Sequence, residues 1–327
     1  MGRSSPLVSV IIPTYDRPQL LQRAVDSVLD QVYEPIELIV VDDHSPTPVQ
    51  ESLAQLERQS IESTQVLRHA ENRGLSAARN TGITSSSGEY IAFLDDDDRW
   101  HPEKLSRQVP VLERDPEVGI VTCCLASVSP EGDILRCERD KPSGDLSQTI
   151  FRKNVIGSPS RVLIRSACFD EIGLFDEDLS TKQDWDLYIR ICQEWMVRCL
   201  EEILCFRTIH LSMSSDPSDT ERDLLRIRER YQDRIEASGM WEASMAAYHR
   251  KVGVMYLFAG DRTSGRHHLR RVLEYERNVS SMIMLLLGML PHRVYLRFIG
   301  TKRWVERSVY SCSNRIPITN GDVILND

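Results

Sequence analysis

The 327 residues are 41% hydrophobic and 27% charged, an ordinary globular balance that excludes wholesale disorder. Within the net charge of −9, residues 216–327 hold 18 Lys and Arg against 14 Asp and Glu, so the first 215 are strongly acidic, which argues against a nucleic-acid partner for the main domain. No run reaches the roughly 18 apolar residues of a spanning helix, and Met1 to Pro6 lacks a signal-peptide apolar region, so the expected location is cytoplasmic.

Val8 to Pro13 is a short β-branched run closed by proline, which predicts a buried strand. Helical spacing of Leu20, Leu21, Ala24, Val25 and Val28 follows over 17–31. A second strand, Ile36 to Val41, ends in Asp42 and Asp43, and a polar helical stretch runs to about Ser60. A short strand at 65–67, a helix at 75–84 and a strand at 90–94 complete the alternation, the last running into Asp95 to Asp98. Alternating strands and helices predict right-handed βαβ units and a mainly parallel sheet, with ligands at the carboxyl ends of the strands.

Beyond residue 102 the pattern is mixed. It predicts a helix at 103–114, strands at 119–126 and 161–164, a strand-turn at 133–137 and an amphipathic helix at 184–195. Ser, Asp and Pro cluster at 214–219 and mark a boundary between a domain of residues 1–215 and a helical region of 216–327. Helices are predicted there at 217–237, 240–259, 263–276 and 280–309, with Gly260 and Asp261 as the turn of a helix-turn-helix pair. The eight cysteines form no C-x-x-C pair and no zinc spacing, so reduced core thiols are expected.

Four adjacent carboxylates at Asp95 to Asp98 repel one another unless a cation neutralises them. A Mn²⁺ or Mg²⁺ ion held by one or two of them and by substrate phosphates is the expected counter-charge. In isolation the run would read as a solvated acidic turn, but the buried strand in front of it favours the metal.

Four segments then occur in one order: Val8 to Tyr15, Val40 to Asp43 with Ser45, Asn72 to Gly82, and Gly88 to Asp98. Together they resemble the nucleotide-sugar domain of inverting family 2 glycosyltransferases of the GT-A fold, over about residues 6–210. The resemblance implies a Rossmann-like α/β domain followed by a helical region that it does not cover. It implies that Pro13, Thr14 and Tyr15 wrap the nucleotide, with Asp43 accepting from the base and Arg79 facing base or diphosphate. Asp95 and Asp96 belong to the donor side and Asp97 to the metal, with His210 as a further ligand in some members. Asp184, in the segment Lys182 to Arg190, matches the catalytic base, although Gln183 stands where Glu is commoner. Gly157, Ser158 and Trp185 are expected on the acceptor side.

The resemblance implies transfer of a sugar from a UDP or GDP donor to a polysaccharide, lipid-linked or protein-linked acceptor; a UDP-sugar and a lipid-linked oligosaccharide of a cell-surface glycan or glycoprotein are the expected pair. A sugar-phosphate nucleotidyltransferase would share the fold, but it needs a Gly-rich loop after the first strand, where this chain reads Pro13 to Arg17 without glycine. A non-catalytic binding module would have no need of both Asp97 and Asp184. Residues 249–315 carry 13 Lys and Arg against four acids. The apolar run 282–290 within them is broken by Pro291, so 280–310 is expected to dock on the cytoplasmic face of a membrane without crossing it.

Overall fold

A computed structural model describes residues 5–50, 61–139, 142–209 and 216–276, together with Ile283, Leu286 and Met289. The chain opens with β1 (Val8–Thr14), α1 (Pro18–Leu29), β2 (Ile36–Asp42), β3 (Ile61–Arg68), α2 (Leu75–Ser85) and β4 (Tyr90–Phe93). Every residue of β1, β2 and β4 is buried, as apolar runs without alternation require of strands covered on both faces. β1 pairs in parallel with both β2 and β4, and β2 with β3. Thr14 therefore lies in register with Asp42, and the Leu94 amide bonds the Ile11 carbonyl. The carboxyl ends of three strands so deliver Thr14, Asp43 and Asp95 to one edge. A Cβ on Gly82 would collide with Ile11, so this glycine lets α2 lie close on β1.

The second half departs from a parallel plan. It comprises β5 (Asp98–Trp100), α3 (Lys104–Arg114), β6 (Val118–Val128), β7 (Ile134–Glu138), β8 (Leu163–Arg165), α4 (Ala167–Ile172), α5 (Gln183–Ile191) and β9 (Met196–Thr208). The sheet order is β3-β2-β1-β4-β8-β6-β9-β5, with β7 on β6. β8 is antiparallel to β4 and β6, and β5 is antiparallel to β9. The fourth aspartate of the acidic run is thus a strand residue. The 13-residue β9 is hard to read from its apolar pattern, because Glu201 and Glu202 interrupt it. The helix expected to reach residue 195 stops at Ile191, since Met196 is taken up by the sheet beside β6.

Past the linker come α6 (Pro217–Arg230), α7 (Gln232–Ala237), α8 (Trp241–Ala259) and α9 (Arg262–Tyr275). The single helix expected over 217–237 is interrupted at Tyr231. Gly260 takes a left-handed φ of 91° to end α8, and the Asp261 carboxylate caps α9 through the Thr263 and Ser264 amides. The boundary near 215 is no break in packing. Leu224, Ile227, Tyr231, Met245, Tyr248 and Val252 share one apolar core with Phe151, Trp185 and Ile189. The continuation of the polar helix beyond Gln50 lies outside the described residues, as does 280–310 apart from Ile283, Leu286 and Met289, which are helical and exposed.

Between α8 and α9 the His249 and His268 rings meet, Nδ1 to Nδ1 at 3.0 Å, and His268 Nε2 reaches Glu221 at 3.1 Å. Tyr248 and Tyr256 also donate to Glu221. Burial pushes His249 down to about 4, helped by the charges of His268, Arg271, His267 and Arg228. Unfolded, this imidazole takes up its proton near the ordinary 6.5, so the folded state holds fewer protons between the two values. Stability is therefore complete above pH 6.5 and is lost as pH falls toward 4. At pH 5 the loss is about 2 kcal/mol, a drop of a few degrees in the unfolding midpoint. Scanning wild type and His249→Gln from pH 7 to pH 4.5 checks this, the variant showing the shallower slope.

Candidate active site

The acidic run leaves β4 in a tight turn closed by the Asp98 amide on the Asp95 carbonyl. The carboxylates are not held alike, and two of them share one arginine. Asp95 accepts from Arg79 at 2.6 Å. Asp96 accepts from the Thr14 hydroxyl at 2.8 Å and from Arg17 at 3.2 Å, while Asp97 faces the same guanidinium at 3.3 Å. Asp98 turns inward, fully buried, with its Oδ1 lacking a hydrogen-bond partner. Burial pushes the Asp96 carboxyl up to about 6, with Thr14 and Arg17 pulling it back and Asp97 and Asp95 adding to the rise. Burial, then Asp95 and Asp97, hold Asp98 well above the usual carboxylate range. Excess negative charge, a set of oxygen donors and an orphaned buried carboxylate oxygen fit a hard divalent cation. Among the described residues no three Asp, Glu, His or Cys side chains gather to hold an ion by themselves. An ion completed by substrate phosphates needs no such cage.

Arg79 is no surface residue of its helix. It is 2% exposed, with its guanidinium 5.4 Å from the Phe175 ring, and α2 aims it at Asp95. Its neighbour Asn80 ties α2 to the loop after α4 through the Phe175 amide and carbonyl. Tyr15 stands at the rim of the crevice, 47% exposed, just past the end of β1. Asp43 differs from its expectation as a group open to the nucleotide base. Its carboxylate already accepts from the Arg73 and Gly74 amides, both at 2.8 Å, and contacts His69 Nδ1 at 2.7 Å. It holds the turn that starts α2, with room for one further hydrogen bond among its four lone-pair directions.

Asp184 is the second residue of α5, entered from Lys182 at a left-handed φ of 60°. Its Oδ2 accepts from the Asn154 side-chain amide and its Oδ1 from the Trp185 amide, both at 2.8 Å. Burial raises its pKa, while Lys182 and Arg79 draw it back and Asp95 adds to the rise. Asn154 is itself fixed, its Oδ1 accepting from the Ile156 and Gly157 amides. Gly157 sits at φ 110°, and a Cβ there would press on Arg161; Ser158 caps the short turn Pro159–Arg161. The loop expected on the acceptor side therefore delivers Asn154 to Asp184.

Trp185 is a correction. It is 2% exposed, its indole donates to the Ile150 carbonyl and Arg228 covers its ring at 4.9 Å, so it offers no face to a sugar. Asp186, two residues beyond Asp184 on α5, is excluded as the base. Fully buried, it is consumed by Arg190, Arg230 and the Tyr231 hydroxyl. His210 lies outside the described residues.

With this geometry in place the comparisons are decisive. The profile of Glycosyl transferase family 2 matches residues 9–173, half of the chain. The chain belongs to that family. An uncharacterized glycosyltransferase of Rickettsia prowazekii is 32% identical over 218 residues, 65% of this chain and 67% of its own length. Escherichia coli WcaA, named as a colanic acid biosynthesis glycosyl transferase, is 31% identical over 225 residues, 66% of this chain and 78% of its own. Among solved structures, the mannosyltransferase PcManGT from Pyrobaculum calidifontis with GDP-Man and Mn²⁺ superposes with a TM-score of 0.59 at 17% identity, covering 95% of this chain and 88% of that one. S. aureus TarS with UDP-GlcNAc gives 0.54 at 17% identity, covering 86% and 79%. The fold is that of the GT-A glycosyltransferases.

In this family 2 glycosyltransferase the sequence motifs point to Asp95, Asp97, Arg79 and Asp184 as candidates but do not show which side chains hold them. Arg17 lies in no strand motif, although a cation just past the β1 end, opposite an acidic run, was a usable signal. Asn154 sits 30 residues before Asp184, and nothing local pairs them.

Proposed function

We propose that this glycosyltransferase inverts the sugar it transfers, taking it from a nucleotide diphosphate donor, a UDP-sugar, with Asp184 as the base. The observation that carries this is the Asp184 carboxylate: held by Asn154 and its own helix, raised in pKa by burial, and an electrostatic neighbour of Arg79 and Asp95. A base with a raised pKa accepts a hydroxyl proton more readily as the acceptor attacks. Arg79 binds and orients donor oxygens once Asp95 shares it, and the exposed Tyr15 ring is free to stack on the base. A Mn²⁺ or Mg²⁺ ion, held by Asp97 with diphosphate oxygens, would neutralise the leaving group. The UDP-GlcNAc of one structural neighbour and the GDP-Man of another support a nucleotide-sugar donor.

Incubation with a panel of UDP- and GDP-sugars and Mn²⁺ tests the reading. We expect UDP release from at least one UDP-sugar, faster with acceptor present. Neither binding nor release with any donor would overturn it.

The acceptor in this reading is a lipid-linked oligosaccharide, reached from the cytoplasmic face. No helix among the described residues is long and apolar enough to cross a membrane. The support for surface docking is the basic, apolar sequence of 280–310. Full-length protein should co-sediment with anionic liposomes better than a chain ending at Ser280; equal sedimentation removes the membrane from the proposal.

A further inference from the structure

Tyr188 lies four residues after Asp184 on α5, a spacing that places both side chains on one face of the helix. It is 0% exposed, and its hydroxyl is buried without a hydrogen-bond partner. The charges acting on that phenol are Asp184 first, then Arg79, Asp95 and Arg161. A second donor beside the same carboxylates, Arg79 Nε, is also buried without a partner. Donors thus stand idle next to acids that are short of donors, since each Asp184 oxygen accepts a single bond. An unpaired buried hydroxyl is a cost to the fold, and a phenylalanine would fill the same volume without it.

We propose that Tyr188 is a positioning residue for Asp184, its hydroxyl donating to the carboxylate when a donor substrate draws Arg79 and Asp95 away from their mutual ion pair. This rests on Asp184 being the base. In the structure Arg79 is bound to Asp95. A nucleotide diphosphate competes for that guanidinium because its oxygens suit the same planar fork. With Arg79 turned to the donor, Asp184 loses a neighbouring cation, and the phenol, on the same helix face and packed in the core, supplies a donor in its place. The carboxylate is then held from three directions, by Asn154, the Trp185 amide and Tyr188, and keeps one lone pair for the acceptor hydroxyl. The charged groups acting on this carboxylate are Lys182 before α5, Arg79 from α2 and Asp95 after β4.

The test is Tyr188→Phe in the full chain, beside Asp184→Asn. A hydrogen bond to the ionised carboxylate favours that form, so its loss should move the acid limb of the kcat profile up by about 1 pH unit. We expect kcat to fall roughly tenfold, the donor KM to stay within about twofold, and the unfolding midpoint not to fall. An unchanged acid limb with wild-type kcat would overturn the proposal. So would a fall in kcat and midpoint together with an unmoved limb, which is the mark of a packing role alone. If Asp184→Asn retains wild-type turnover, the base assignment itself is wrong and this inference goes with it.

Discussion

Replacing Asp184 with asparagine should cut turnover by roughly two to four decades while leaving donor affinity nearly unchanged. An amide is too weak a base to take the acceptor proton, yet it has almost the shape of the carboxylate. The local cost is small but real. The two Asp184 oxygens accept from Asn154 and from the Trp185 amide, and an asparagine has a single oxygen with which to serve both. Asn154 is unable to turn its own oxygen toward the new amide, because that oxygen already serves the Ile156 and Gly157 amides. One lost hydrogen bond is worth about 1 kcal/mol, so the variant should fold with a slightly lower midpoint. Calorimetric titration with UDP and single-turnover kinetics separate binding from chemistry. Near wild-type turnover would move the base elsewhere, but not to Asp186, whose replacement should cost stability through Arg190, Arg230 and Tyr231.

Asp97→Ala should lower transfer by roughly three decades or more and should also remove the metal dependence of nucleotide binding. In the structure the carboxylate shares Arg17 with Asp96, so its loss leaves the arginine paired to Asp96 and the fold little changed. Surface-exposed partners of this kind contribute about 1 kcal/mol or less, and Arg17 is half exposed. Binding and stability should therefore separate. Wild type should gain in unfolding midpoint when Mn²⁺ and UDP are added together, whereas the variant should gain nothing from the metal. Wild-type activity that is the same in excess EDTA as in Mn²⁺ would remove the metal from the site.

Much of this enzyme was legible without coordinates. Strands β1, β2 and β4 announce themselves because full burial on both faces demands unbroken apolar runs, and Asp43 and Asp95 follow directly where those runs end. The α8–α9 turn was equally plain, since a left-handed Gly260 and a capping Asp261 are local requirements of helix ends. These features depend on neighbours within a few residues, and the code for them is local. Other decisions needed the tertiary structure. Helical spacing marked α5 as amphipathic, but Arg228, 43 residues further on in α6, is what closes over Trp185 and makes it core. The antiparallel β5 and β8 owe their direction to partners in β9, β4 and β6, not to their own three residues each. Asn154 on Asp184, Arg17 on Asp96 and Asp97, and His69 on Asp43 join positions 26 to 80 residues apart. Side-chain type says what each group can bond to; only chain folding decides which partner arrives, because that choice is made by packing across the whole core.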